Sequence, residues 1–120
     1  MTQNNVASAK AFYTAMAEKN VNAMEKYLAP DVHLITPLAT VQGKAAYLAA
    51  VTNFTAFFKT LTIREAFGEE DKTLVVYDLE CPAPVGKSPG AALITFRDGL
   101  IIKNELFHNT SPYRKIEGLA

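Results

Sequence analysis

The sequence predicts an α+β fold in which three N-terminal helices pack on one face of a curved, mainly antiparallel sheet. Three observations predict it. Apolar stripes at helical spacing occur only before Leu61, whereas β-branched and aromatic runs bounded by turn residues fill the chain after it. Between two of those runs stands Asp98-Gly99, a strong hairpin signal because a type I′ turn needs positive φ at both central residues. Helices first and a strand meander afterwards is the order of an α+β domain.

The elements follow in order. From about Asn4 to Lys19 the residues Val6, Ala9, Phe12, Tyr13, Met16 and Ala17 form one helical stripe, with Asn20 as its C-terminal stop. A shorter helix, Asn22 to Leu28, is expected to end at Ala29-Pro30-Asp31, since proline disfavours helix at the residue before it. Val32 to Thr36 is β-rich and closed by Pro37, so it reads as a short strand. Gln42-Gly43 opens a third helix to about Lys59, with Tyr47, Leu48, Val51, Phe54 and Phe58 inward. Thr62 to Gly68 and Thr73 to Cys81 make a hairpin around an acidic turn, and 82–90 is a Pro/Gly loop. Ala91 to Arg97 and Leu100 to Asn109 form the last hairpin, giving the order α-α-β-α-β-β-β-β.

The chain has 120 residues, 49% of them hydrophobic, enough for one domain with a core that needs no staple. That domain spans 1–120, with its core over about 6–112 and a polar tail at 113–120. Lys and Arg (12) balance Asp and Glu (12) and are scattered singly, a pattern unlike the basic stripe that binds nucleic acid or an anionic membrane. One cysteine forms no internal disulfide, and the N-terminus lacks the basic flank and apolar run of a signal peptide. A cytoplasmic protein is expected, with no nucleic-acid or membrane partner.

The strand Leu74-Val-Val-Tyr-Asp-Leu-Glu-Cys81 carries two carboxylates, Asp78 and Glu80, two residues apart. Alternation puts both on one face with Val76, and Val75, Tyr77, Leu79 and Cys81 on the other, which is either core or the face of a partner.

The chain resembles the SnoaL-like group of the nuclear transport factor 2-like superfamily over about Val6 to Pro112. The resemblance rests on the element order, on Tyr27-Leu-Ala-Pro-Asp-Val32 and on the closing Gly99-Leu-Ile-Ile-Lys-Asn-Glu-Leu-Phe-His108. It implies a cone-shaped α+β barrel whose sheet wraps the long helix around a pocket, and pairing of two copies through the outer sheet face. The family hosts isomerases, cyclases, hydrolases, dehydratases and non-enzymatic binders, so the fold does not give the function. The ketosteroid-isomerase base and oxyanion-hole positions fall on Thr36, Phe12 and Leu93, none of which suits those roles. The epoxide-hydrolase positions match Glu105 and the strand of Asp78 and Glu80, but without the arginine that reaction uses.

The same alignment turns Val76, Asp78 and Glu80 into the pocket, with Lys103, Glu105 and Phe107 from the closing strand and Leu34 and Thr36 from the first. Asp78, Glu105 and Glu80 are then the candidate catalytic acids. Phe12, Met16, Val51, Phe54 and Phe107 make an apolar base, Lys103 stands near the mouth, and His108 either caps the C-terminal segment or lines the rim. Carboxylates in an apolar cup repel one another and lose hydration, which raises a pKa toward the range of a general acid or base. His33 should face away from the pocket. Tyr13, Tyr47 and Tyr77 are either core or ligand-orienting hydroxyls, and Cys81 reads as a buried, inert thiol. The two histidines lack metal-site spacing, so neither a metal nor a cofactor is expected.

Two readings stay open: a cofactor-independent acid–base enzyme of isomerase, cyclase, dehydratase or hydrolase type acting on a small apolar molecule, and a non-catalytic ligand-binding or protein-binding dimer. The dimer is expected to bury the stripe Tyr77, Leu79 and Cys81 on the outer face of the sheet.

Overall fold

A computed structural model describes residues 2–109. The expected polar tail at 113–120, and the end of the expected core beyond 109, lie outside the described residues. Helix α1 runs Thr2–Ala17 and α2 Val21–Met24, followed by a 3₁₀ turn at Glu25–Tyr27. Strand β1 is Leu28–Ile35, β2 Thr40–Gln42 and helix α3 Lys44–Phe57. Strands β3 (Thr60–Glu69), β4 (Lys72–Glu80), β5 (Lys87–Arg97) and β6 (Leu100–His108) complete the chain. One six-stranded sheet has the order β2-β1-β6-β5-β4-β3, antiparallel except where β1 lies parallel to β6. This is the α+β cone that the sequence predicts, with the sheet open between its edge strands β2 and β3.

Local chemistry explains the elements and the departures from expectation. Helix α1 ends at Ala17, two residues short of the expected Lys19. Lys19 takes positive φ (60°), and the N–H groups of Lys19 and Asn20 return to the carbonyls of Met16 and Ala15 at 2.9 Å each. Asn20 instead caps the next helix, its side chain accepting from the Ala23 N–H. That helix is a single turn, and β1 begins four residues earlier than expected. Pro30 fits inside β1 because the pairing with β6 shifts register between Leu28 and His33, where no ladder bond is demanded of it. Pro89 fits inside β5 because β6 pairs no further than Gly90↔His108, leaving Pro89 with β4 alone. Strand β2, three residues long, is too short to show a period and was not expected. Asp98 and Gly99 both take positive φ (53° and 80°) and close the β5–β6 hairpin as the dipeptide predicts.

The core lies between the helices and one face of the sheet. Helix α1 packs over β3 and β4, and α3 over β1 and β2. Phe12, Tyr13, Tyr47, Met24 and Ile94 are almost wholly buried there, each side chain worth roughly 1.5–3 kcal/mol relative to exposure. Register breaks at Leu28/His33, Ile63/Glu65 and Thr95/Phe96 supply bulges that bend the sheet around the helices.

One of these breaks settles which residues face inward on β6. Phe96 pairs with Ile101, but Thr95 pairs with Lys103, so Ile102 is an extra residue and the alternation resets. Ile101 and Asn104 are therefore both buried, although three residues apart. On β4 the buried residues are Thr73, Val75, Tyr77 and Leu79. Tyr77 lies across Gly90, its partner in the ladder, and stacks on Tyr13 with ring centroids 5.6 Å apart. A Cβ at residue 90 would meet the Tyr77 ring and hydroxyl at 2.9 Å. Gly90→Ala is accordingly expected to lower stability by about 1–3 kcal/mol in urea unfolding, the usual cost of overpacking. An unchanged midpoint would show that Tyr77 can move aside freely.

Candidate functional site

A cavity of about 130 Å³ lies between the helices and the sheet. Tyr13 and Met16 reach it from α1, Tyr47, Ala50, Val51 and Phe54 from α3, and Leu34 with Thr36 from the end of β1. The sheet adds Leu61, Tyr77, Leu79, Asn104, Leu106 and His108. Asn53 and Pro89 are exposed lining residues and mark its outer rim, whereas Tyr13, Tyr47 and Asn104 are buried at its inner end. Its walls are mainly apolar. Phe12 does not line it; its ring packs edge-on against Tyr13 and Tyr47, 5.4 and 6.2 Å between centroids, and backs the inner end.

That inner end is a polar junction. The Asn104 side-chain amide donates to the hydroxyl oxygens of Tyr13 and Tyr47, 2.8 Å each, joining β6 to both long helices. Asn104 is 1% exposed and its Oδ1 has no partner among the described residues. Burial pushes the Tyr13 phenol well above its ordinary value near 10, and the neighbouring Tyr47 pushes it the same way, outweighing the Asn104 bond. Tyr47 is also raised, again chiefly by burial, with the Asn104 bond opposing and Tyr77 adding to the rise. Both phenols are therefore neutral O–H groups at physiological pH.

His108 is half-buried on the lining. Its Nδ1 lies 3.3 Å from the Asn109 carbonyl oxygen, which only accepts, so that contact asks for the proton on Nδ1 and leaves the neutral ring's lone pair on Nε2. Thr36 reaches the cavity, but its hydroxyl is engaged in a turn. It donates to the Ala39 carbonyl (2.9 Å) and accepts from the N–H groups of Leu38 and Ala39. No three His, Cys, Asp or Glu side chains among the described residues converge to hold a metal ion.

The structure brings Met16, Leu34, Thr36, Val51, Phe54 and His108 to the cavity, and it corrects the expected facing of the remaining candidates. Val76, Asp78 and Glu80 are on the opposite face of β4; Asp78 stands 3.8 Å from Arg64, and Glu80 is exposed. Lys103, Glu105 and Phe107 are on the opposite face of β6, with Phe107 49% exposed. The stripe Tyr77, Leu79 and Cys81, expected on the outside, is buried in the core. The reason is energetic on β4 and geometric on β6. Desolvating two carboxylates costs several kcal/mol each, whereas burying Tyr77 and Leu79 is favourable, so the acids turn out. On β6 the bulge at Ile102 reverses an alternation counted from Ile101. His33 does face away from the cavity, on the side of Asp31, Arg97 and Lys103. Asn104, the central polar residue, was missed. The one signal for it is an asparagine inside an otherwise β-favouring run.

A family model described as a SnoaL-like domain matches residues 9–104, and the chain belongs to that family. No curated protein matches the sequence. Solved structures share the fold. A protein from Kribbella flavida DSM 17836 is 23% identical, covering 92% of this chain and 90% of its own, with a TM-score of 0.85. An NTF2-like protein of unknown function from Cytophaga hutchinsonii is 18% identical over 89% of this chain and 91% of its own, TM-score 0.79. TerC, co-crystallised with polyporic acid, is 17% identical over 94% of this chain and 97% of its own, TM-score 0.79.

The raised phenols set a pH dependence. A group whose pKa is higher in the folded than in the unfolded chain adds stability that is complete below about 10, the unfolded value, and is lost as the pH rises above it. In an ultraviolet titration, Tyr13 and Tyr47 are expected to stay un-ionised above pH 10 until the chain unfolds, leaving at most three of the five tyrosines to titrate before it. Five tyrosines ionising together near 10 in the folded chain would contradict the buried junction.

Proposed function

We propose that this SnoaL-like domain binds a small, largely apolar molecule in the cavity between α1, α3 and the sheet. The observation that carries the proposal is the cavity itself: apolar side walls, three buried polar groups at the inner end and an exposed rim. Its 130 Å³ resembles the engineered cavity of about 150 Å³ that takes benzene, which sets the occupant at about one six-membered ring. The structure with polyporic acid shows a small organic molecule with another protein of this fold, which accords with the reading.

A catalytic version has one observation in its favour. His108 is on the lining, and histidine is the side chain that exchanges a proton near neutral pH. Acid–base chemistry of isomerase or cyclase type would run through it, because Asp78, Glu80 and Glu105 stand on the far side of the sheet. The test asks whether a small ring binds in this cavity. A ring-sized probe such as cyclohexanone at ten times its Kd should stabilise the chain by about 1.4 kcal/mol. Ala50→Phe, which fills the cavity, should abolish that gain. Stabilisation that persists in the filled variant would place binding elsewhere.

Two copies are proposed to pair through the outer sheet face. The residues supporting this differ from the expected stripe. Phe67, Leu74 and Leu93 form one row across β3, β4 and β5, and Val76, Ala91 and Phe107 a second across β4, β5 and β6. Phe67 (58%) and Phe107 (49%) are exposed, an apolar face of the kind that marks an interface. Sedimentation equilibrium should give twice the 13.1 kDa chain mass, and Phe107→Lys should return it to one. A single-chain mass at high concentration refutes the pairing.

A further inference from the structure

The junction of Asn104, Tyr13 and Tyr47 has more hydrogen-bond donors than the protein satisfies. The amide carries two N–H hydrogens and each phenol one O–H, four in all. As the groups stand, the amide hydrogens go to the two phenol oxygens, and neither phenol hydrogen has an acceptor among the described residues. Turning the amide over lets Oδ1 accept both phenol hydrogens, but it then frees the two amide hydrogens. In both arrangements two donors are left over, while three side chains that carry them line the same cavity. Buried donors are rarely left without an acceptor.

We infer that the molecule bound in this cavity presents an uncharged, hydrogen-bond-accepting oxygen of carbonyl type to Asn104, Tyr13 and Tyr47, with a single ring's worth of apolar carbon behind it. This rests on the binding reading above and narrows it. A carbonyl oxygen has two lone pairs, which matches the two donors left over in either arrangement. A carboxylate does not fit. Among the described residues no Lys or Arg lines the cavity, the walls are mainly apolar, and the donors are neutral phenols, so an anion would lose its hydration without a countercharge. An alkane fits the walls but leaves both donors unpaired.

The experiment uses the full chain and three ring-sized probes: cyclohexanone, methylcyclohexane and cyclohexanecarboxylate. Affinities are measured by ligand-observed NMR on the natural chain and on Tyr13→Phe and Tyr47→Phe. Cyclohexanone should weaken about tenfold in each variant, because one donor is gone. Methylcyclohexane should bind the variants no more weakly than the natural chain. Equal losses for both probes, or no loss for either, overturn the inference while the cavity remains a binding site. Carboxylate binding more tightly than ketone overturns the requirement for an uncharged ligand. Failure of all three to bind removes the binding reading and the inference together. A readout that needs no variant guards against misfolding. The carbonyl stretch of bound cyclohexanone should lie at lower wavenumber than in hexane, and an unshifted stretch overturns the inference.

Discussion

The buried amide of Asn104 joins the three parts of the cone. It sits on β6, in the middle of the sheet, and bonds one tyrosine from α1 and one from α3. A buried polar group without a partner costs about 1–3 kcal/mol, so these three side chains constrain one another. The helices cannot slide along the sheet without breaking a pair. Phe12 fixes the other side of both phenols, and Tyr77 stacks on Tyr13 across the cleared surface of Gly90. The cavity exists because these groups meet at its inner end and hold the helices off the sheet beyond it.

This arrangement divides the sheet into two faces with different chemistry. The inner face is mainly apolar, and its polar groups are the junction, Thr73, Ser88 and His108. The outer face carries the charges: Asp78 with Arg64, Asp31 with Arg97, and Glu105 and Lys103 on the closing strand. Ion pairs at such partly exposed positions contribute at most about 1 kcal/mol, and their neighbours Phe67 and Phe107 give the outer face its apolar character. The cavity inside the cone offers few reactive groups. Here they are neutral phenols, an amide and an imidazole.

Much of the fold was legible in the sequence. The stripe Ala9, Phe12, Tyr13 and Met16, the strand runs after Leu61 and the Asp98-Gly99 turn each carry local chemistry that decides an element. The site was legible only in part. Met16, Val51 and Phe54 belong to the helical stripes, Leu34 and Thr36 to the first strand and its end, and His108 to the end of the closing strand, and all six reach the cavity. The six residues placed on the wrong face lie on β4 and β6. Alternation correctly grouped Asp78 with Glu80 and Lys103 with Glu105, but it does not say which group faces in. The bulge at Ile102 depends on the pairing with β5, a contact between strands that no single run of residues reveals. A one-residue slip exchanges the two faces completely, and with it a site of carboxylates for one of phenols and an amide.

The central claim is that ligand binds inside the cone and not on the charged outer face. The direct test is an amide-resolved ¹H–¹⁵N NMR map of the chain titrated with cyclohexanone. The account predicts shifts concentrated at Met16, Ala50, Val51, Asn104 and Leu106, with Asp78, Glu80 and Glu105 among the least affected. Shifts that cluster on the outer face of β3 and β4 around Arg64 and Asp78, with the cavity residues unmoved, would contradict it.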